Sequence, residues 1–512
     1  MMDKLTASLE HNIEQMMVDL GGGPDIVARR MLTKSGNRIA LVYISSMIDA
    51  DTINRIVQSI AAENNSSGGQ ETLEAAEAFQ RLADRTLSIG EYRSLSKYQE
   101  AILALLEGCT VIMMDGTAEA IAAHTSGGDR RSVEESTTQT VIRGPKEGFT
   151  ESIVTNTTLL RRRIKSPNLR IDYKLIGRET QTSVAVVYLK GITSDYIIEE
   201  MHRRLDLIDT DSILESGYIE EFIADKASTP FPLMQNSERP DAVAAGLLEG
   251  QIAVIVDGTP FVLLAPVTFV KFFQSSEDYY QRFDIATFLR FIRFCSFLVS
   301  MLMPSLYVAI TTFHQEMLPT PLLISLAAQR EGVPFPAILE ALLMEITFEI
   351  LREAGVRMPR IIGPAISIVG ALVLGQAAVQ AGLVSAAMVI VVSFTAIASF
   401  VIPSVNMGTA ARLIRFIMII LAGSFGIFGI MAGLMVVLAH MAGLRSFGVP
   451  FLLPVSPFVP GNWRDVIVRV PWWAMKKRPD FVRFGGARRQ TAADQQTKRA
   501  GDLQRKSGGD PR

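Results

Sequence analysis

Apolar runs of membrane-spanning length are concentrated in the second half of the chain. Residues 294–313, "FCSFLVSMLMPSLYVAITTF", form one stretch of the ~20 residues needed to cross the hydrocarbon core of a bilayer. Residues 361–411 run for 51 positions without a charged side chain, which leaves room for two spans, near 361–380 and 383–402. A third run, 416–444, has 29 residues and is long for one crossing but short for two. We therefore predict an all-α polytopic membrane domain of five to six apolar helices.

The first half contains an internal repeat. The segments "LLEGCTVIMMDGT" (105–117) and "LLEGQIAVIVDGT" (247–259) share seven of thirteen positions and lie 142 residues apart. Upstream, "IALVYISSMID" (39–49) matches "VAVVYLKGITS" (184–194) at a displacement of 145. Two matches at nearly one offset indicate a duplication. Each unit has the pattern of a strand, a helix, and two strands that turn at an Asp-Gly pair, so we predict two similar α/β lobes in tandem.

The Asp-Gly pairs and the hydropathy pattern also set the expected domain limits. Asp115 and Asp257 are expected to be turn residues rather than members of a site, because Asp-Gly is a favoured hairpin turn. The predicted domains are an α/β lobe at 1–143, a linker helix with a second α/β lobe at 144–280, a transmembrane domain at 281–455 and a basic, partly disordered tail at 456–512.

The linker between the lobes carries a basic run. It reads "GPKEGFTESIVTNTTLLRRRIKSPNLRI" (144–171) and contains Arg161, Arg162, Arg163 and Lys165. These side chains are expected either to bind phosphate or lipid headgroups or to form the charged last turn of a connecting helix. The last-turn interpretation is favoured.

Charge is distributed unevenly along the chain. The formal net charge is -2, but residues 464–512 hold thirteen Lys or Arg against five Asp, which makes the tail about +8 and the rest about -10. A basic tail after an apolar region favours the cytoplasmic side of a membrane or anionic lipid over nucleic acid. A disordered, solvated tail fits the same composition.

Basic residues also bear on the orientation of the spans. Arg352, Arg357 and Arg360 precede one apolar run, and Arg412 and Arg415 precede the next. Together with the tail, all of these prefer the cytoplasm. They can share one side only if the run at 416–444 makes a re-entrant or paired excursion.

Signatures of enzyme chemistry are lacking in the sequence. The two cysteines, Cys109 and Cys295, have no zinc or disulfide spacing, and the five histidines form no ligand or triad pattern. We therefore expect no enzyme activity, no metal and no cofactor.

The N-terminal "MMDKLTASLEHNIEQMMVDLGGG" resembles an amphipathic helix ending at glycines and lacks the apolar core of a signal peptide, so the first half is expected in the cytosol.

One apolar helix is predicted to carry charged groups. The segment "ILEALLMEITFEILREAG" (338–355) contains four glutamates and an arginine. At 3.6 residues per turn, one face presents Glu345, Glu349 and Arg352, while Glu340 points away. Charged residues in a membrane helix normally face a bundle interior or an aqueous cavity, and an acidic ring in an oligomer selects cations. Glu345, Glu349, Arg352 and Glu340 are therefore candidate pore-lining residues; a helix lying flat at the interface is the alternative.

Small residues recur every three or four positions along two apolar runs. Such stripes let helix backbones approach closely, between subunits or within one. The first stripe, our candidate helix-packing set, is Gly363, Ser367, Ala371, Gly375, Ala378 and Gly382, and the second is Gly423, Gly426, Gly429 and Gly433.

Two long segments resemble the GerA family, the A subunits of spore germinant receptors. They are "STPFPLMQNSERPDAVAAGLLEGQIAVIVDGTPFVLLAP" (228–266) and "MEITFEILREAGVRMPRIIGPAISIVGALVLGQAAVQAGLVS" (344–385). With "TNTTLLRRRI" and "ESGYIEEFI", the resemblance covers roughly residues 140–460. "PLMQN" departs from the Pro-Gln pattern of the family, which leaves the role of that loop open.

The resemblance implies a non-enzymatic, multi-pass protein of the bacterial spore inner membrane. Such an A subunit is expected to assemble with a permease-like B subunit and a lipoprotein C subunit, and to oligomerise into a cation channel that nutrients open. A related family member, the stage V sporulation protein AF, implies an accessory role instead. A transporter component is a further alternative, although transporters often show repeats in the membrane half.

Overall fold

The computed structural model divides the chain into two compact units. The first draws on Met1–Ala224 and Asn236–Pro266, and the second on Asp225–Gln235 and Val267–Met475. The residues that the structure describes are 4–33, 36–66, 79, 92–127, 139, 141–357, 375–475 and 478.

The first lobe is a five-stranded antiparallel sheet with helices on both faces. Alternate residues of β2 point to opposite faces, so Ala40 and Val42 pack against α1 and α3 while Ile39 and Leu41 pack against α2. The strand order is β1-β2-β4-β5-β3. The elements are α1 (Leu9–Leu20), β1 (Ile26–Leu32), β2 (Arg38–Ile44), α2 (Ala50–Ser66), β3 (Tyr92–Leu95), α3 (Tyr98–Leu106), β4 (Thr110–Met114) and β5 (Ala120–Ala123).

The second lobe repeats this arrangement. Its strand order, β6-β7-β9-β10-β8, is that of the first lobe, strand for strand, as the sequence repeat predicts. Ala185 and Val187 of β7 pack against α4 and α7. The elements are α4 (Ile153–Arg163), β6 (Leu169–Ile176), β7 (Thr182–Leu189), α5 (Asp195–Asp206), α6 (Ser216–Ile223), β8 (Gln235–Ser237), α7 (Pro240–Leu248), β9 (Ile252–Val256) and β10 (Val262–Ala265).

The Asp-Gly hairpins make the same contact in both lobes. Asp115 Oδ1 accepts a hydrogen bond from the backbone N–H of Leu9 at 3.2 Å, and Asp257 Oδ1 accepts one from Ile153 at 3.0 Å. Leu9 and Ile153 begin α1 and α4, whose first N–H groups have no partner within the helix. Each aspartate therefore lies at the predicted turn and also caps a helix that is distant in sequence.

Helix α1 ends as the sequence predicts. Leu9, Ile13, Met16 and Leu20 are buried along one face, and Gly21 adopts φ 99°, a left-handed conformation that favours glycine. The backbone N–H of Gly21 donates to the carbonyls of the last turn.

The basic run of the linker joins the two lobes. Arg161, Arg162 and Arg163 form the last turn of α4, as expected. Arg161 Nε donates to Asp25 of the first lobe at 2.7 Å, and both side chains are buried. Arg162 donates to the carbonyl of Gly127 at 2.7 Å. Two of the three guanidinium groups thus bind the first lobe.

Removing the buried partner should weaken this junction. Replacing Arg161 with Met leaves Asp25 buried without its cation, so we expect a loss of about 3–5 kcal/mol of stability. The matched variant Arg163→Met removes an ion pair with Glu147, which is 53% exposed, and should cost at most about 1 kcal/mol. Thermal unfolding of the two full-length variants compares them. Equal destabilisation would contradict a role for the Arg161–Asp25 pair.

The second unit is largely helical. Of the described helices, α9 and α13 are long and apolar enough to cross a membrane, and α12 is a shorter apolar helix. The expected five to six apolar spans are not confirmed, and the predicted span at 361–380 lies mostly outside the described residues. The helices are α8 (Glu277–Tyr280), α9 (Phe283–Thr312), α10 (Thr320–Arg330), α11 (Ala337–Arg357), α12 (Ala386–Phe400) and α13 (Val405–Gly443).

Helix α13 is broken at Gly426, where the chain folds back on itself. Gly426 has φ 59° and ψ -142°, so two helices meet there. A Cβ at Gly433 would lie 2.7 Å from Leu421 and 2.8 Å from Met418. Met418 and Gly433 would be about 22 Å apart in a straight helix, at 1.5 Å per residue. Their contact therefore requires a helical hairpin at Gly426.

Glycines of the predicted stripes lie at contacts within the chain. A Cβ at Gly423 would lie 2.3 Å from Ile338 of α11, and one at Gly375 would lie 3.6 Å from Val389 of α12. Gly382, with φ 64°, follows a helical segment and is followed by the start of α12. Gly363, Ser367 and Ala371 lie outside the described residues, and Ala378 belongs to the helical segment 375–380.

Candidate functional site

The charged residues of α11 occupy two separate places in the second unit. Glu340 is fully buried and accepts hydrogen bonds from the backbone N–H and the hydroxyl of Ser385, both at 2.6 Å. Ser385 is the N-cap of α12, and its hydroxyl accepts from the backbone N–H of Met388. The Glu340 carboxylate thus stabilises the positive end of α12. It lies on a different face from Glu345, as helix geometry predicts.

Glu345 and Glu349 pair with two arginines of α13. Arg415 Nη2 lies 3.1 Å from Glu345 Oε2 and 3.2 Å from Glu349 Oε1. Arg412 Nη1 donates to Glu349 Oε2 at 2.7 Å. The spacing is a consequence of helix geometry, because residues four apart in α11 and three apart in α13 each share a helix face.

Arg352 extends this group to a third helix. It donates to the hydroxyl of Ser399 on α12 at 2.6 Å and lies 3.8 Å from Glu349. Its guanidinium is 5.0 Å from the ring centroids of both Phe348 and Phe400. We call the set Glu345, Glu349, Arg352, Arg412 and Arg415 the charge cluster.

The charge cluster has a buried end and an accessible end. The side chains of Glu345 and Arg415 are 0% exposed, whereas those of Glu349 and Arg412 are 24% and 21% exposed. Burying charges is tolerated only when they are paired, so the two acids hold α11 against α13. Arg415 lies at nearly equal distances from the two carboxylates, 3.1 Å from Glu345 and 3.2 Å from Glu349.

The two glutamates of the charge cluster were predicted from the sequence, but two of their arginine partners were not. From the sequence alone, Arg412 and Arg415 indicate only the orientation of the apolar runs. A signal was present, because two arginines next to long apolar runs require counter-charges, and α11 is the acidic segment with glutamates at matching spacing. Arg352 and Glu349, which helix periodicity places on one face of α11, lie 3.8 Å apart.

The fold and the cluster together define a protein with paired α/β lobes and a helical unit stabilised by buried ion pairs. The sequence model of the family described as "Bacillus/Clostridium GerA spore germination protein" matches residues 13–481. The chain therefore belongs to the GerA spore germination protein family.

Individual relatives align over nearly the whole chain. "Spore germination protein KA" of Bacillus subtilis (strain 168) is 48% identical over 480 residues, which cover 93% of this chain and 87% of that protein. "Uncharacterized membrane protein YfkQ" of the same organism is 42% identical, covering 96% and 95%. "Spore germination protein GerLA" of Bacillus cereus is 38% identical, covering 94% and 96%.

A solved structure also matches. The crystal structure of the N-terminal domain of the A subunit of the Bacillus megaterium spore germinant receptor GerK3 is 34% identical to this chain, with a TM-score of 0.42. The match covers 52% of this chain and 98% of that chain.

Proposed function

We propose that this chain is the A subunit of a spore germinant receptor, a non-enzymatic, multi-pass protein of the spore inner membrane. In this proposal it assembles with a permease-like B subunit and a lipoprotein C subunit, its α/β lobes face the cytoplasm, and it oligomerises to form or gate a cation channel. Membership of the GerA family and the relatives named as spore germination proteins support this assignment.

The charge cluster is the observation that supports a channel most directly. Ionisable residues on apolar helices are costly in a bilayer and commonly mark ion pathways. Here α11, α12 and α13 converge on two acids and three arginines. Glu349 is the acid at the accessible end, so it is the group we assign to the water-filled path. Glu345 is the buried group that positions α11.

Partner exchange at Arg415 provides a gating mechanism for this channel. When Arg415 and Arg412 both pair with Glu349, the accessible carboxylate is neutralised; Glu349 can attract a cation only when Arg415 pairs with Glu345 alone and Arg412 also releases it. Germinant binding to a partner subunit would need to favour one arrangement by only a few kcal/mol to change the open population substantially.

Electrical recording tests the proposal. The purified chain, reconstituted with its B and C subunits in planar bilayers, should conduct cations when germinant is added. Glu349→Gln should reduce the selectivity for cations over anions, because a ring of carboxylates is lost. The matched variant Glu353→Gln should conduct as wild type, since Glu353 is 65% exposed and pairs with Arg357.

The break at Gly426 favours a second candidate function, a transporter component, because transporters use interrupted helices near their substrate sites. Saturable, gradient-coupled uptake without channel openings would support the transporter. Channel openings that are independent of this chain would instead indicate an accessory role, like that of the stage V sporulation protein AF.

A further inference from the structure

Residues 455–475, which follow α13 and are called the C-terminal segment below, are attached to the first turns of α9 by buried charges. Asp278 is fully buried between Arg290, at 2.8 Å, and Arg293, at 2.7 Å. Arg290 also pairs with Asp465 at 2.8 Å. Both arginines of α9 are therefore neutralised inside the second unit, and one of their partners comes from the C-terminal segment.

Further hydrogen bonds fix the position of the C-terminal segment. Tyr279 donates its hydroxyl to Asp465 at 2.8 Å, and the backbone N–H of Arg469 donates to Thr287 Oγ1 at 3.1 Å. The indole N–H of Trp472 donates to the carbonyl of Tyr279 at 3.2 Å. Residues 465–472 are thus held beside the beginning of α9.

Because Arg290 and Arg293 are neutralised in the interior, the outer surface of the first turns of α9 is mainly apolar, with Asp284 as an exposed charged residue. Phe283, Ile285, Phe288 and Phe291 are 44–62% exposed, although Arg290 and Arg293 lie in the same turns. Lipid can therefore contact α9 before the apolar stretch that the sequence indicates at residue 294. The beginning of α9 lies at the level of the bilayer interface if the helix spans the membrane.

The C-terminal segment presents aromatic and apolar side chains at this same level. Trp472 and Trp473 are 45% and 53% exposed, and Phe458 and Val468 are 68% and 54% exposed. Tryptophan is enriched at membrane–water interfaces because its ring is apolar while its N–H remains polar. The exposed Arg464 adds a basic group of the kind that anionic headgroups attract.

We propose that residues 455–475 form an interfacial anchor, which lies in the headgroup layer of the bilayer with Trp472 and Trp473 in contact with phospholipid. The anchor rests on the membrane embedding of α9 in the proposed function. A phospholipid surface fits better than a second copy of the chain, because the exposed aromatic groups border the end of a candidate span and the residues from 464 onward carry a surplus of eight positive charges.

The tryptophans make the anchor directly measurable. All three tryptophans of the chain, Trp463, Trp472 and Trp473, lie in this segment, so intrinsic fluorescence reports on it alone. Cys295 is exposed on α9 and can carry a fluorescent label that reports the embedding of the span. The other cysteine, Cys109, is buried, and burial raises the pKa of its thiol, so it labels poorly.

The experiment uses the full chain in phosphatidylglycerol nanodiscs whose acyl chains carry bromine either near the headgroup or near the chain end. In the Trp463→Phe variant, the remaining tryptophans should lose most of their fluorescence with shallow bromine and less with deep bromine. The double variant Trp472→Phe, Trp473→Phe is the matched control and should be quenched less, because Trp463 is only partly exposed.

The two probes separate the possible outcomes. Quenching of the Cys295 label without quenching of Trp472 and Trp473 would overturn the anchor, since these residues would then face water or a second copy. If neither probe is quenched, α9 is not embedded, and both the proposed membrane function and the anchor fail.

Discussion

Replacing Glu345 with lysine is expected to abolish germinant-triggered cation flux. The carboxylate of Glu345 lies 3.1 Å from Arg415, and both side chains are fully buried. A lysine there would place a second cation beside Arg415, and breaking a buried pair costs about 3–5 kcal/mol before the new repulsion is added. We expect α11 to separate from α13. Ion flux from proteoliposomes and thermal stability of the purified chain would both report this loss.

Two controls separate a local charge effect from general damage. Glu353→Lys makes the same change on the same helix, but Glu353 is 65% exposed and its pair with Arg357 is at the surface, so flux should be retained. The exchange Glu345→Lys with Arg415→Glu restores opposite charges and should recover part of the stability. Wild-type flux in Glu345→Lys would exclude a positioning role for the pair.

Adding a single methyl group at Gly429 is expected to disrupt the hairpin of α13. A Cβ at this position would lie 2.2 Å from the backbone carbonyl oxygen of Leu421, which cannot move independently of its helix. Gly429→Ala should therefore separate the two halves of α13 and cost about 1–3 kcal/mol or more, as overpacking does in well-packed cores. Thermal unfolding of the purified chain measures the loss.

The same substitution at Gly443 provides the control, because a Cβ there would have nothing within 4 Å. In a helix without a steric conflict, Gly→Ala is favourable by roughly 0.8–1 kcal/mol. Gly443→Ala should thus leave stability unchanged or raise it slightly. A similar change in both variants would show that helix propensity, not close packing, determines the effect.

The similarity of the two lobes was predictable because the duplicated segments match in sequence, whereas the edge strands β1, β3, β6 and β8 were not predicted. The matched "LLEG" and "DGT" segments indicated the common strand order and placed Asp115 and Asp257 at equivalent hairpins. Their capping of α1 and α4 was not predictable, since each aspartate contacts a helix more than a hundred residues away. Local patterns specify elements, whereas contacts between distant elements follow from how those elements pack.

For the helical unit, the sequence predicted the helix faces of the charged side chains but not all of their partners. Helix periodicity correctly placed Glu340 and Glu345 on different faces of α11. It could not identify Arg412 and Arg415 as partners of the glutamates, because a hydropathy pattern shows where a charge is costly to bury but not which residue neutralises it. Apolar composition gave no preference between a straight helix and a hairpin at 416–444. The hairpin forms because Gly426 adopts a positive φ, which permits a reversal of chain direction and is unfavourable for most other residues.

Within the proposed membrane function, the reversal at Gly426 determines how the two ends of α13 are placed. In a bilayer, the two arms of α13, about 30 Å and about 25 Å long at 1.5 Å per residue, are each comparable to the hydrocarbon thickness of ~30 Å. If α13 is embedded as the proposed function requires, the chain enters and returns, so residues 405 and 443 lie on the same side of the membrane. Under the proposed membrane embedding, the arginines at the start of α13 and the residues that follow Gly443 then share one side, in keeping with the preference of positive charge for one face.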